Sequence, residues 1–204
     1  MKTDSTAVTR IKKAEGSFMN GLPNKLKVGG ISYAIRTDYR HILRIMQAFN
    51  DPELNDEEKC YICMKILYWN YESIPAKDLQ EAYDKAVWFI DCGKHYSEEK
   101  TQSVRLMDWE HDESLIIPAI NRVAGKEVRM ERYIHWWTFV GFYMEIGECV
   151  FSEVVYIRQK LSKGKKLEKY EHQFYQENKE MIDIPRVKTQ EEIEEEKLIE
   201  SIFG

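Results

Sequence analysis

Residues 130–146 read MERYIHWWTFVGFYMEI, the most apolar run of the chain. Tyr133, Ile134, Trp136, Trp137, Phe139, Val140, Phe142, Tyr143 and Met144 leave little of a helical circumference polar. A helix of that kind is central in its bundle or is covered by a partner. The pattern predicts one helix over 130–146, interrupted at Gly147. Successive helical residues point about 100° apart, so Trp136 and Trp137 cannot face the same neighbour. One is expected in the core and the other on an interaction surface. A membrane span needs about 20 consecutive apolar residues, and His135 interrupts this run.

Amphipathic patterns surround it. Tyr39, Ile42, Leu43, Met46 and Phe49 repeat at helical spacing, with Thr37 or Asp38 as the cap. Further helices are predicted over about 56–69, 76–92, 108–124, 149–161 and 165–181. Asn55 with Glu58 reads as a capping pair, and Pro118 should kink the fourth helix or delay its start. Residues 25–35 alternate in polarity around Gly29-Gly30, which predicts a small hairpin. Only 10 Gly and 5 Pro interrupt the chain, which favours helices. The fold expected is all-α: a compact domain of six to seven helices over 21–182 with an N-terminal β-hairpin. A flexible extension, 1–20, precedes it, and an acidic amphipathic helix, 183–204, follows it.

The 204 residues are 43% hydrophobic and 12% aromatic, enough for a core and too apolar for wholesale disorder. The opening residues MKTDSTAVTRIKKAEGSF hold no apolar leader. Cys60, Cys63, Cys92 and Cys149 all fall in helical patterns rather than in a disulfide framework. These features predict a cytoplasmic protein. The net charge of -5 is concentrated near the end, where Glu191, Glu192, Glu194, Glu195, Glu196 and Glu200 face only Lys197. A basic run, Arg158, Lys160, Lys163, Lys165, Lys166 and Lys169, precedes it. Such asymmetry points to a partner or a self-contact more than to a catalytic site.

Each candidate for chemistry has a plainer reading. Cys60 and Cys63 have CxxC spacing but no second pair to complete a tetrahedral zinc site, and read as buried thiols. Asp108, Glu110, His111, Asp112 and Glu113 could hold a hard cation or act with His135 in acid–base work. They also stand where carboxylates favour a helix start. The basic run could contact phosphates, but no nucleic-acid motif accompanies it. It reads as a solvated helix face or a dock for an acidic segment, the chain's own tail included. Ile193, Leu198, Ile199, Ile202 and Phe203 in that tail suit helix-in-groove docking. No phosphate loop, dinucleotide fingerprint, nucleophile elbow or HExxH occurs, and no cofactor is expected.

Short motifs in a fixed order carry a resemblance. They are Leu22-Pro23, Gly29-Gly30, Ile31, Tyr33, Ile35, Thr37-Asp38-Tyr39-Arg40 and Glu57-Glu58-Lys59. Then come Ala86-Val87-Trp88-Phe89, Cys92-Gly93-Lys94, Asp108, Asp112, Ile116 and His135-Trp136-Trp137-x-Phe139. Together they resemble the bacteriophage "gene product fifteen" family over about 22–181. Residues before Met19 and the acidic segment after Pro185 lie outside the family pattern.

The family occurs in long-tailed phages and prophages of Gram-positive bacteria, its gene commonly between those for the tail tube and the tape measure. Proteins from that position are generally taken to be tail-assembly chaperones. The resemblance implies a non-catalytic chaperone in the host cytoplasm, shielding the tape measure protein before tube polymerisation. It implies other tail proteins as partners and transfers no catalytic residue. A structural component of the mature tail and a metal-dependent enzyme are the alternatives. Partner contacts are expected at Trp136, Trp137, Phe139, Tyr143, Ile199 and Phe203. A homo-oligomer is expected too, because arrays gain avidity along a polymer. No metal, nucleic acid or membrane is expected among the partners.

Overall fold

A computed structural model describes residues 21–94 and 105–185 and, beyond them, Glu192, Leu198, Ile199 and Ser201. Among the described residues the fold is all-α with one small hairpin and eight helices, and it is 60% helical. Strands β1 (Lys25–Val28) and β2 (Ile31–Ala34) pair antiparallel, Val28 opposite Ile31. Gly29 and Gly30 both take positive φ, 55° and 82°, as a tight two-residue turn requires. A Cβ on Gly29 would meet the Asp78 carboxylate at 2.7 Å, because the turn sits directly on the start of the third helix. The Gly29 amide donates to Glu81 Oε2 at 2.9 Å. Leu26 and Val28 face inward on that side.

The helices are α1 (Tyr39–Asn50), α2 (Asp56–Leu67), α3 (Leu79–Ile90) and α4 (Glu113–Ala124). Then follow α5 (Trp136–Met144), α6 (Val150–Ser162), α7 (Lys169–Glu177) and α8 (Lys179–Ile182). One core joins the hairpin to α1 through α5 and the start of α6. A second, smaller cluster of Val154, Ile157 and Ile182 attaches α7 and α8, with Leu167, Phe174 and Met181 around it. Among the described residues no helix is long and apolar enough to cross a membrane.

The helix expected over 130–146 is shorter, and the reason is local. Val128–Met130 is a single 3-10 turn, and α5 begins only at Trp136. The backbone between them pairs sideways with the segment before α1. The Tyr39 amide donates to the Ile134 carbonyl at 3.0 Å, and the Trp136 amide to the Thr37 carbonyl at 2.7 Å. Asp38 accepts from the Ile134 amide at 3.1 Å through Oδ2, while its Oδ1 caps α1 through the Arg40 amide at 3.0 Å. Arg40 then reaches across to the Glu131 carbonyl at 2.6 Å. Amides and carbonyls committed to this clasp are not available to a helix.

Other boundaries shift for similar reasons. The helix expected over 108–124 starts at Glu113, because Asp108 Oδ1 takes the amides of Glu110 and His111 into a turn. Pro118 lies inside α4 on its exposed side. The third helix is preceded by a 3-10 turn, Ala76–Asp78. The second stops at Leu67, where Arg36 donates to the carbonyls of Ile66 and Tyr68 at 2.7 and 3.0 Å. The helix expected over 165–181 is two helices broken at Asn178, whose side-chain amide donates to the Phe174 carbonyl at 2.9 Å. The extension 1–20 lies outside the described residues. Of the acidic terminal helix expected over 183–204, residues 183–185 are described and are not helical, while Glu192, Leu198, Ile199 and Ser201 are described and helical.

Asp38→Ala removes the α1 cap and leaves the Ile134 amide without its acceptor. The expected loss is about 2–4 kcal/mol of stability, read from urea unfolding monitored by tryptophan fluorescence.

Candidate interaction surface

His135, Trp136 and Trp137 form a junction between α5 and the end of α3. His135 caps α5, its Nδ1 accepting from the Trp137 amide at 3.1 Å. That assigns the proton to Nε2, which donates to the Pro23 carbonyl at 3.0 Å. The Trp136 indole donates to the Ile90 carbonyl at 2.8 Å and the Trp137 indole to the Phe89 carbonyl at 2.9 Å. Adjacent tryptophans, diverging on their helix, thus cap two adjacent carbonyls at the end of α3. Cys92 and Gly93 there both have positive φ, and a Cβ on Gly93 would press on the Trp137 ring at 3.2 Å.

The six expected contact residues separate accordingly. Trp136 and Phe139 are 1% and 0% exposed, core side chains that offer a partner no surface in this closed fold. Trp137 is partly buried beside Trp88 and Phe89. Tyr143 is partly buried, its ring 5.2 Å from Trp109, and burial, with Asp112 nearby, raises its phenol pKa. Ile199 is helical and 56% exposed. Phe203 lies outside the described residues. Trp109, which packs on Trp136, Phe139 and Tyr143, joins this aromatic group from an irregular segment with no periodicity to announce it.

The acidic cluster serves the scaffold. Asp112 is wholly buried and receives both guanidinium branches of Arg158, at 2.7 and 2.8 Å. Arg158, 6% exposed, also donates to the carbonyls of Leu106, Met181 and Ile182. It therefore leaves the basic run, which was expected as a solvated face. Lys160 is paired with Glu171, while Lys163, Lys165, Lys166 and Lys169 remain exposed. Asp108 bonds Arg105 and two amides, so it, Asp112 and His135 hold three different sets of partners. Among the described residues no three His, Cys, Asp or Glu side chains converge as metal ligands. Burial pushes the Cys63 thiol up to about 12, and Cys60 is raised by the same cause.

Among the described residues, clefts open beside α1. A cleft of about 360 Å³ runs between α1 and α4, with Arg40, Arg44 and Arg129 opposed by Glu110 and Glu113. A cleft of about 700 Å³ lies where α2, the end of α1 and the start of α3 meet. Phe49, Tyr61, Met64, Tyr71, Leu79 and Tyr83 line it, together with Asp56 and Glu57. Tyr61 and Tyr71 meet edge to face at 5.7 Å. Sequence reasoning overlooked this cleft. Its one visible sign was Tyr61, a large aromatic beside rather than within the apolar stripe of α2.

Residues 18–184 match the family described as bacteriophage Gp15 protein. The chain belongs to that family. Searches of curated proteins and of solved structures find no match to it. It is a phage protein, and several of the short motifs of this Gp15 chain gather at the junctions just described. Thr37, Asp38, Tyr39 and Arg40 form the clasp, and Pro23, Phe89 and Gly93 meet His135, Trp136 and Trp137. Asp112 anchors α6 and α8 through Arg158.

Two outcomes follow from this geometry. Asp112→Asn leaves the Arg158 charge buried without its counter-charge. It should cost about 3 kcal/mol and speed amide exchange across α7 and α8 before the rest of the chain. Burial, partly offset by the Pro23 hydrogen bond, lowers the His135 pKa from its ordinary 6.5. Its neutral form stabilises the fold fully above that value, and the contribution is lost as pH falls through it toward the lowered folded value. The stability advantage over His135→Asn, which keeps a capping acceptor, should therefore shrink between about pH 8 and pH 5.5 in paired melts.

Proposed function

We propose that this chain is a non-catalytic tail-assembly chaperone, which covers apolar helices of the tape measure protein in the host cytoplasm until tail tube subunits polymerise. Family membership over 18–184 supports the phage setting. The observation that carries the shielding role is the open aromatic cleft of α2 and α3, beside a core whose polar groups are already engaged. Every buried side-chain nitrogen and oxygen among the described residues has a hydrogen-bond partner.

A tape measure protein is long and helical, and it exposes apolar faces before assembly. Such faces aggregate unless covered. Tyrosine and methionine surfaces give contact area with little demand on the partner's sequence. A homo-oligomer would add avidity along so long a partner. Within the tail segment, Ile199 is exposed and available for a contact of this kind.

The test is co-expression with the tape measure protein of the same phage. The chaperone reading expects the tape measure protein to move from the pellet to the soluble fraction and to co-purify with this chain. An unchanged pellet contradicts it. Mass spectrometry of purified virions separates the alternative, a minor structural component of the mature tail, which requires the chain in stoichiometric amount. The chaperone reading requires its absence there.

A further inference from the structure

We infer that the α2–α3 cleft is a docking groove for an amphipathic helix whose apolar stripe is flanked by lysine or arginine. The inference rests on the chaperone reading and adds the surface and the chemistry of the partner. Phe49, Tyr61, Met64, Tyr71, Leu79 and Tyr83 supply an apolar floor and walls. Tyr61 is 52% exposed, and the hydroxyls of Tyr61, Tyr71 and Tyr83 make no hydrogen bond to any described residue. Tyrosines of this kind bury large area at low entropic cost and keep a polar tip for the partner's backbone or side chains. These six side chains come from α1, α2, α3 and the segment between α2 and α3, a spread that suits a row of helical side chains.

Charge selects the partner. Asp56 and Glu57 line the cleft as well, and among the described lining residues Lys59 is the only cation. Asp84 adds a carboxylate one turn beyond Gln80 on α3, held by the Gln80 amide at 2.9 Å. Burial first, then Cys63 and Cys60 and the carboxylates of Asp56 and Asp84, hold the Tyr83 phenol above its ordinary pKa. A helix with a basic margin gains from this field, and an acidic segment such as residues 189–204 is repelled by it.

The experiment measures binding of the full chain to helical fragments of the tape measure protein from the same phage, at low and high salt. Tyr61→Ala and Glu57→Lys should each weaken binding about tenfold or more with an unchanged far-UV spectrum. Tyr170→Ala, an exposed aromatic on α7, should have no effect. Raising the salt should weaken the wild type, and Glu57→Lys less so. If the wild type binds and both cleft variants bind equally well, the groove lies elsewhere and the inference fails while the chaperone reading stands. If the wild type binds no fragment and leaves the tape measure protein insoluble, the chaperone reading itself falls. If the cleft substitutions instead change the chain's own mass in light scattering, a second copy occupies the cleft and the inference is overturned.

Discussion

Two backbone hydrogen bonds and one carboxylate join the start of α1 to the start of α5. Thr37, Tyr39, Ile134 and Trp136 exchange the backbone bonds, and Asp38 binds the Ile134 amide while capping its own helix. This clasp fixes where α5 begins. Where α5 begins fixes which way Trp136 and Trp137 point, and their indoles then close the end of α3. α1, α3 and α5 are thus held by polar contacts at their ends as well as by apolar burial between them. A buried polar network of this kind specifies one arrangement, because any slip leaves donors without acceptors.

Helices and hairpin were legible because they rest on local rules. The Gly29-Gly30 turn, the Asn55–Glu58 capping box and the stripe Tyr39, Ile42, Met46 are each contained within a few residues. The limits of α5 were not legible. Residues 130–135 have a helical pattern of apolar side chains, but the partners of the Glu131 carbonyl and of the Ile134 and Trp136 backbone lie at residues 37–40, almost a hundred positions away. Arg158 was misread for the same reason. In the sequence it heads a basic run, while in the fold it turns inward to the aspartate that precedes α4. Charge counted along a chain does not distinguish a solvated arginine from one buried against its counter-ion.

The aromatic run of α5 posed a related problem for function. Its composition suits both a core and a contact surface, and the fold assigns Trp136 and Phe139 to the core. An open aromatic cleft lies instead on α2 and α3, around Tyr61, where the sequence pattern gave a lone aromatic and no run. Most of the family motifs trace the scaffold, at the clasp, the α3 end and the Asp112 anchor, while Glu57 and Lys59 line the cleft.

The central claim is that a locked core carries a separate, adaptable binding surface. Hydrogen–deuterium exchange of the full chain, alone and with its tape measure protein, tests it most directly. The account predicts slow exchange at residues 134–139 in both states and new protection on binding within residues 56–83. Rapid exchange at 134–139 in the free chain, or protection that arises there and not in α2 and α3, would contradict it.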